Sequence, residues 1–171
     1  SSDLGAITMI DNGTPSLLDF TFNGWGLKFA SDLDNRITRH AVEAEVLKGH
    51  YVNRLGFVLE GGSIESDGMG TLLTTSECLL SPQRNGRLNQ VEIEEYLKST
   101  FHLQKVLWLD HGYLAGDDTD SHIDTLARFC STDTIAYVKC ENKEDEHYEA
   151  LLAMEKQLKT FRTLAGEPYR L

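Results

Sequence analysis

Cysteine is scarce in this chain of 171 residues, which contains only Cys78, Cys130 and Cys140. An odd number of cysteines without a CxxC spacing argues against a disulfide framework and against a zinc knuckle. Cys130 and Cys140 lie within or beside apolar runs typical of strands, where a buried, reduced thiol is expected. The cysteine content therefore predicts a reducing, cytoplasmic setting.

Basic residues are also few, since 16 lysines and arginines stand against 27 aspartates and glutamates. The formal charge of −11 argues against nucleic acid or an anionic membrane as the main partner. It is compatible with a cationic ligand, although solubility alone would also explain it. No apolar run approaches the roughly 20 residues that span a bilayer, and the N-terminus has no signal-peptide pattern.

The two ends of the chain suggest a longer parent. The sequence begins at Ser1 without an initiator methionine, and residues 166–171 are typical of the start of a new strand. The length fits one domain with a sizeable core. We therefore expect a single domain over residues 1–171, cut from a longer protein.

Hydrophobic patterning predicts a mixed α/β chain with a weak internal repeat. Hairpins are expected around residues 11–13 and 67–68, and lone strands at 55–59 and 105–109. Helices are expected at 34–48, 90–101 and 144–164, with a strand pair at 123–130 and 134–138. A strand pair, a helix and a lone strand thus recur after Gly5, after Glu60 and, as far as the helix, after His122. Repeats arranged about one axis would aim their entrances at a common point.

The segment GDDTDSHIDTLARF, residues 116–129, places a histidine and an aspartate two residues apart. If a strand begins near Ile123, alternation puts His122 and Asp124 on one face, where they could hold a cation and move a proton. The alternative is a hydrogen-bonded loop pair on the surface. Asp3 and Glu60 stand at the other two repeat entrances, and they too could be incidental loop acids.

Four runs of this sequence resemble the agmatine deiminases, within the family that also contains the bacterial peptidylarginine deiminases. They are residues 22–26 (FNGWG), 59–64 (LEGGSI), 72–85 (LLTTSECLLSPQRN) and 116–124 (GDDTDSHID). The runs are long, stand in order and extend over nearly all of the chain. The resemblance implies a pseudo-fivefold α/β propeller of ββαβ modules, of which this chain would contain about three.

The resemblance also implies an activity, the hydrolysis of a guanidinium to a ureido group and ammonia without a metal or organic cofactor. For agmatine the product would be N-carbamoylputrescine, formed through a cysteine thiouronium intermediate. The partner would be a small cationic guanidine, with no nucleic acid and no membrane, and homo-oligomer formation is left open. The FNGWG run favours agmatine, because the peptidylarginine branch resembles YNRPR at that place.

The motif positions imply roles for individual residues. Asp3 and Asp124 match the two aspartates that bind the guanidinium, where carboxylates orient the planar cation. His122 matches the general acid/base, and Glu60 matches the acid that holds this histidine and raises its pKa. A turn acid beside two glycines is the alternative for Glu60.

Three further residues are candidates for substrate binding. Asp118 and Asp120 could meet a second positive charge such as the agmatine amine, or could be solvated loop acids. Trp25 could form a wall of the substrate channel, or could be a packing anchor between two glycines.

The sequence departs from the family pattern at two places. Ser2 stands where the family has an arginine just before the aspartate matched by Asp3. The family's nucleophilic cysteine belongs to a glycine-rich motif near the C-terminus, and none of the three cysteines here matches it. We therefore expect the chain alone to be inactive. The alternatives are a non-catalytic binding or assembly module and a deiminase of arginine or peptidylarginine.

Overall fold

A computed structural model describes residues 3–171, with the side chain of Asp11 left out of the description. Over that range the chain is mixed α/β, with strands β1 to β8 in three small sheets and helices α1 to α6. None of the helices in this range is long and apolar enough to cross a membrane. The described chain divides into two compact units, defined as residues 3–61 with Pro82–Asn85 and as Gly62–Ser81 with Gly86–Leu171. Ser2, at which the resemblance implies an arginine, lies outside the described residues.

The first unit contains a three-stranded sheet in the order β1-β2-β3. β1 (Ile7–Asp11) and β2 (Thr14–Thr21) form the predicted hairpin, whose turn residues Asn12 and Gly13 both have positive φ. That backbone conformation matches strand twist and favours asparagine and glycine. β3 (His50–Val58) pairs with β2 in parallel. The helical elements of this unit are α1 (Gly24–Leu27), α2 (Ile37–Glu43) and α4 (Pro82–Asn85).

The second unit begins with the same strand arrangement. β4 (Ile64–Ser66) and β5 (Thr71–Thr75) are antiparallel, and β6 (Lys105–Leu109) pairs with β5 in parallel. α3 (Ser76–Leu79) follows β5, and α5 (Gln90–Phe101) lies between β5 and β6 along the chain. α5 has the predicted bounds because Asn89 and Glu92 form a capping box at its start.

A third hairpin completes the second unit. β7 (Ala127–Ser131) and β8 (Thr134–Tyr137) are antiparallel, and α6 (Tyr148–Leu158) follows them. Near the end of the chain, Arg170 forms a parallel bridge with Thr134 of β8. The predicted repeat is therefore present three times as a local topology, with a strand pair followed by a helix and a parallel pairing to the second strand. α6 packs its apolar face into the core of this unit, which includes Leu73, Leu107, Ile123, Leu151, Met154 and Leu158.

Two predicted helices are too long. The helix expected over residues 34–48 is a 3-10 turn (Asp34–Arg36) followed by α2, and it ends where Glu45 adopts a left-handed conformation. The helix expected over residues 144–164 begins only at Tyr148. Before it, the carboxylate of Asp145 accepts a hydrogen bond from the backbone of His147, and such a local turn competes with helix.

The sequence-based predictions for the burial of Cys130 and Cys140 and for the start of the strand at Ile123 are also wrong. Cys130 is exposed and Cys140 is half-buried, whereas Cys78 is fully buried. A strand does not begin at Ile123, because residues Ile123–Thr125 form a 3-10 turn and β7 starts at Ala127. The alternation argument for His122 and Asp124 therefore fails, since they do not lie on one strand.

Candidate functional site

Two asparagine side chains fix the carboxyl ends of the parallel strands β2 and β3 in the first unit. Asn35 accepts a hydrogen bond from the backbone N–H of Phe22 (2.9 Å) and donates to its carbonyl (2.6 Å). Asn85 does the same for Val58, at 3.0 and 2.8 Å. Each amide bonds both the N–H and the C=O of one residue, so it satisfies backbone groups where the strand ends. These two strand ends carry the loop with Trp25 and the segment with Glu60.

The loop after β2 has an unusual backbone that presents Trp25. Residues 24–27 all have positive φ, and Trp25 itself has φ 55° and ψ 54°. A Cβ on Gly24 would lie 2.0 Å from the carbonyl oxygen of Phe29, so only glycine fits there. The Asn23 carboxamide oxygen accepts from the backbone N–H of Gly26 at 2.9 Å and holds the loop. A large aromatic residue in the left-handed region is uncommon and indicates a constrained position.

Trp25 and Asp3, two of the predicted substrate-binding residues, lie together in the first unit. The indole Nε1–H of Trp25 donates to Asp3 Oδ2 at 3.1 Å. The half-buried indole makes edge contacts with Phe22 and Phe29, with centroid distances of 5.3 and 5.7 Å. A carboxylate beside an aromatic ring is suited to bind an organic cation.

Glu60 is fully buried and forms an ion pair with Arg84. The Arg84 Nε lies 2.9 Å from Oε1 and 3.1 Å from Oε2, and both side chains are completely inaccessible to solvent. Burial raises the pKa of Glu60, the guanidinium of Arg84 opposes that rise, and the charge of Asp3 adds to it. Glu60 is thus not a solvated turn acid. Sequence reasoning missed Arg84, although it is the only basic residue in the run at 72–85.

The second unit holds the loop that leads to His122. The carboxylate of Asp117 accepts hydrogen bonds from the backbone N–H groups of Thr119 (2.9 Å) and Ser121 (2.6 Å). Asp120 is half-buried with positive φ, and Asp118 is exposed. Asp117, to which sequence reasoning gave no separate role, is therefore an acid that shapes the loop.

The end of β5 anchors this loop. Thr75, the last residue of β5, donates its hydroxyl to the carbonyl of Ser121 at 2.7 Å and caps α3 at the N–H of Cys78. The hydroxyl of Ser121 donates to Glu77 Oε2 at 3.0 Å. The loop is thereby fixed at the residue that directly precedes His122.

His122 is buried, with 2% of its surface exposed, so it is not a surface loop residue. Its carbonyl accepts from the backbone N–H of Thr125 (3.3 Å) and from the Thr125 hydroxyl (2.8 Å), which closes the 3-10 turn. Asp124 lies half-buried within that turn. A ring nitrogen of His122 lies within 4.8 Å of Cys78 Sγ. Thiolate and imidazole are metal-ligand types, but two donors are fewer than the four of a structural zinc site.

The predicted residues therefore fall into two groups. Asp3, Trp25 and Glu60 belong to the first unit, whereas the second contains His122, Asp124, Asp118 and Asp120. Each group has carboxylates, and the second also has a group that can transfer protons near neutral pH.

Known proteins resemble the chain over its whole length. One solved structure that matches it is the P. gingivalis protein described as "Putative Arginine Deiminase", with 53% identity and a TM-score of 0.95 over 99% of this chain and 51% of that chain. Another is a substrate-bound cysteine-to-serine variant of the C. jejuni agmatine deiminase, with 45% identity and a TM-score of 0.88 over 98% of this chain and 49% of that chain. A Listeria monocytogenes relative named "Putative agmatine deiminase 2" is 41% identical over 153 residues, 86% of this chain and 41% of its own length.

The chain spans about half the length of these relatives. The model of one family, the Porphyromonas-type peptidyl-arginine deiminases, matches residues 1–171. The resemblance noted in the sequence is confirmed, and the chain belongs to the Porphyromonas-type peptidyl-arginine deiminase family.

Proposed function

We propose that the protein carrying this chain is a guanidine-modifying hydrolase that converts agmatine and water into N-carbamoylputrescine and ammonia. The observation that carries the proposal is the pairing of Trp25 with Asp3 in the unit that contains the buried Glu60. Such an arrangement suits an organic cation, and family membership supports a guanidinium as that cation. We further propose that the protein acts in the cytoplasm and needs no metal or organic cofactor.

The proposed binding step uses carboxylates and one aromatic ring. Asp3 and Asp124 accept hydrogen bonds from the guanidinium N–H groups and fix the orientation of the cation. Trp25 forms one wall of the channel. Asp118 and Asp120 attract the distal amine of agmatine.

The proposed chemistry has two steps, with His122 moving a proton in each. A cysteine thiolate attacks the guanidinium carbon, and the C–N bond breaks as His122 protonates the departing ammonia, leaving a thiouronium. His122 then takes a proton from water, whose oxygen attacks the same carbon. The C–S bond breaks and releases the thiolate, and the remaining hydroxyl proton passes to solvent, which leaves the neutral ureido product. Glu60 holds the histidine and favours its acid form.

We place the nucleophile outside these 171 residues. None of the three cysteines lies in a glycine-rich motif, and Cys78 is fully buried. The chain matches about half of the length of its relatives, so the remaining half of such a protein can supply the thiol. On this proposal residues 1–171 form one domain, an incomplete propeller of about three modules, and are inactive alone. The three repeated local topologies support this interpretation.

Two other functions are to be compared with agmatine hydrolysis. Deimination of arginine or peptidylarginine is favoured by the 53% identity to the P. gingivalis protein described as "Putative Arginine Deiminase". Residues 22–26 argue against it, because they contain no arginine that could bind a substrate carboxylate. A non-catalytic assembly module is favoured by exposed apolar side chains such as Leu33 and Val46.

A substrate comparison with the full-length protein tests the proposal. We expect kcat/KM for agmatine to exceed that for free arginine and for an arginine peptide by about 100-fold or more, because residues 22–26 offer no arginine to a substrate carboxylate and the proposed site is rich in acids. Ammonia release and ureido product are the readouts. Preference for an arginine substrate would contradict the agmatine assignment, and turnover of none would favour the assembly module.

A further inference from the structure

Three consecutive residues of the short helix α4, Pro82–Asn85, contact the segments that follow β2 and β3 in the first unit. The carbonyl of Gln83 accepts a hydrogen bond from Asn23 Nδ2 at 2.8 Å. Arg84 pairs with Glu60, and Asn85 forms two hydrogen bonds with the backbone of Val58. α4 therefore connects the loop after β2 with the end of β3.

This connection is not a consequence of chain proximity. The bonded residues are separated by 60, 24 and 27 positions along the chain. The residues flanking α4, Ser81 and Gly86, belong to the second unit, whereas α4 itself belongs to the first. A helix of four residues has little stability of its own, so these contacts and Pro82 at its first turn define its position.

The ion pair is the chemically distinctive part of this arrangement. Both side chains are fully buried, and Arg84 Nε lies within hydrogen-bond distance of both Glu60 oxygens. Burial favours the neutral form of a carboxyl group, and the charge of Asp3 favours it further. Arg84 opposes both effects, because an arginine stays charged at every accessible pH.

We propose that Arg84 is a positioning residue that keeps Glu60 ionised and fixes the orientation of its carboxylate for the reaction. This inference rests on the proposed function, in which Glu60 must be a carboxylate to hold the catalytic histidine. Asn85 and Gln83 keep Arg84 in place by joining α4 to the two strand ends. A role limited to folding is the competing explanation.

Substitutions in the full-length protein separate the two explanations. R84M removes the charge and R84K keeps it but loses the planar guanidinium. R87M makes the same change at a neighbouring exposed arginine and is the matched control. We expect R84M to lower kcat for agmatine by about 100-fold and to change KM by less than about threefold. The reason is that proton transfer depends on Glu60 in the proposed mechanism, whereas substrate binding does not. R84K is expected to recover part of the loss, and R87M to behave as wild type.

A double variant tests whether Arg84 acts through Glu60. In the E60Q background, R84M should lower kcat by less than about threefold further, since there is no carboxylate left to position. The E60Q/R84M protein contains neither buried charge, so it remains available if R84M alone, with an unpaired Glu60, does not fold.

The outcomes are distinct. Wild-type kcat in folded R84M, or an undiminished effect of R84M in the E60Q background, would overturn the inference and leave the proposed function standing. A wild-type protein that hydrolyses no guanidine would refute the proposed function, and the inference with it.

Discussion

Trp25 combines a constrained backbone conformation, apolar ring contacts and a hydrogen bond to a carboxylate. It stands in the left-handed region between two glycines and makes ring contacts with Phe22 and Phe29. Its indole N–H is directed at Asp3, the carboxylate to which we assign guanidinium binding. The hydrogen bond orients that carboxylate while the ring keeps its apolar contacts.

Replacing Trp25 by phenylalanine should separate these two contributions. W25F keeps an aromatic ring but removes the hydrogen bond to Asp3, so we expect KM for agmatine to rise by about 3- to 10-fold, since one such bond contributes about 0.5–1.5 kcal/mol. Steady-state kinetics of the full-length protein measure this.

W108F is the matched control, because Trp108 donates a comparable bond of 2.9 Å to Glu94 in the second unit. An unchanged KM in W25F, or an equal rise in W108F, would contradict the assignment of Trp25 and Asp3 to the substrate.

At the scale of elements, Trp25 and Glu60 follow the carboxyl ends of the parallel strands β2 and β3. Such edges collect loops from adjacent strands, which is why ligands bind there in many open α/β sheets. In this protein two side-chain amides bond the backbone at these strand ends. Asn35 donates to the carbonyl of Phe22, just after β2, and Asn85 donates to the carbonyl of Val58, at the end of β3. The loop with Trp25 depends on the first of these.

Loss of the Asn35 amide should therefore destabilise the fold measurably. We expect N35A to lower the free energy of unfolding by about 1–3 kcal/mol, because two hydrogen bonds to strand-end backbone groups are lost. Urea denaturation measures the change.

Asn53 provides the control, since it is exposed on β3 and its carboxamide oxygen accepts a local hydrogen bond from the backbone N–H of Leu55. N53A should cost less than about 1 kcal/mol. Equal losses in the two variants would show that Asn35 has no special part in holding the edge.

The elements that could be predicted from sequence are those with local determinants. α5 has the expected bounds because its capping box lies within four residues, and the first hairpin because Asn12 and Gly13 specify its turn. The sequence predicts strand at Ile123–Thr125, where the structure has a 3-10 turn, because the Thr125 hydroxyl donates to the carbonyl of His122 and closes the turn despite its strand-like composition.

The site was predictable only in part, for a physical reason. Motif resemblance found Asp3, Trp25, Glu60 and His122, and their proposed roles stay predictions. The partnership of Glu60 with Arg84 joins residues 24 positions apart, and no helical or strand period relates them. Likewise, the hydrogen bond from the Thr75 hydroxyl to the carbonyl of Ser121 joins residues 46 positions apart, so it depends on the tertiary structure.

At the scale of the whole molecule, three copies of one local topology place polar residues at corresponding points. Glu60 directly precedes the 3-10 turn Gly61–Ser63 and strand β4, and His122 directly precedes the turn Ile123–Thr125 and β7. Asp3 lies four positions before the start of β1, as Glu60 lies four positions before the start of β4. This correspondence supports our proposal that residues 1–171 contain about three modules of one repeated design.

The central claim is that this protein hydrolyses a guanidinium with His122 as the proton-transfer group. The most direct measurement is product analysis of full-length wild type and H122N incubated with agmatine. We predict N-carbamoylputrescine and ammonia in equal amounts from wild type, and a kcat about 100- to 10,000-fold lower in H122N. Release of urea and putrescine, or an undiminished rate in H122N, would contradict the account.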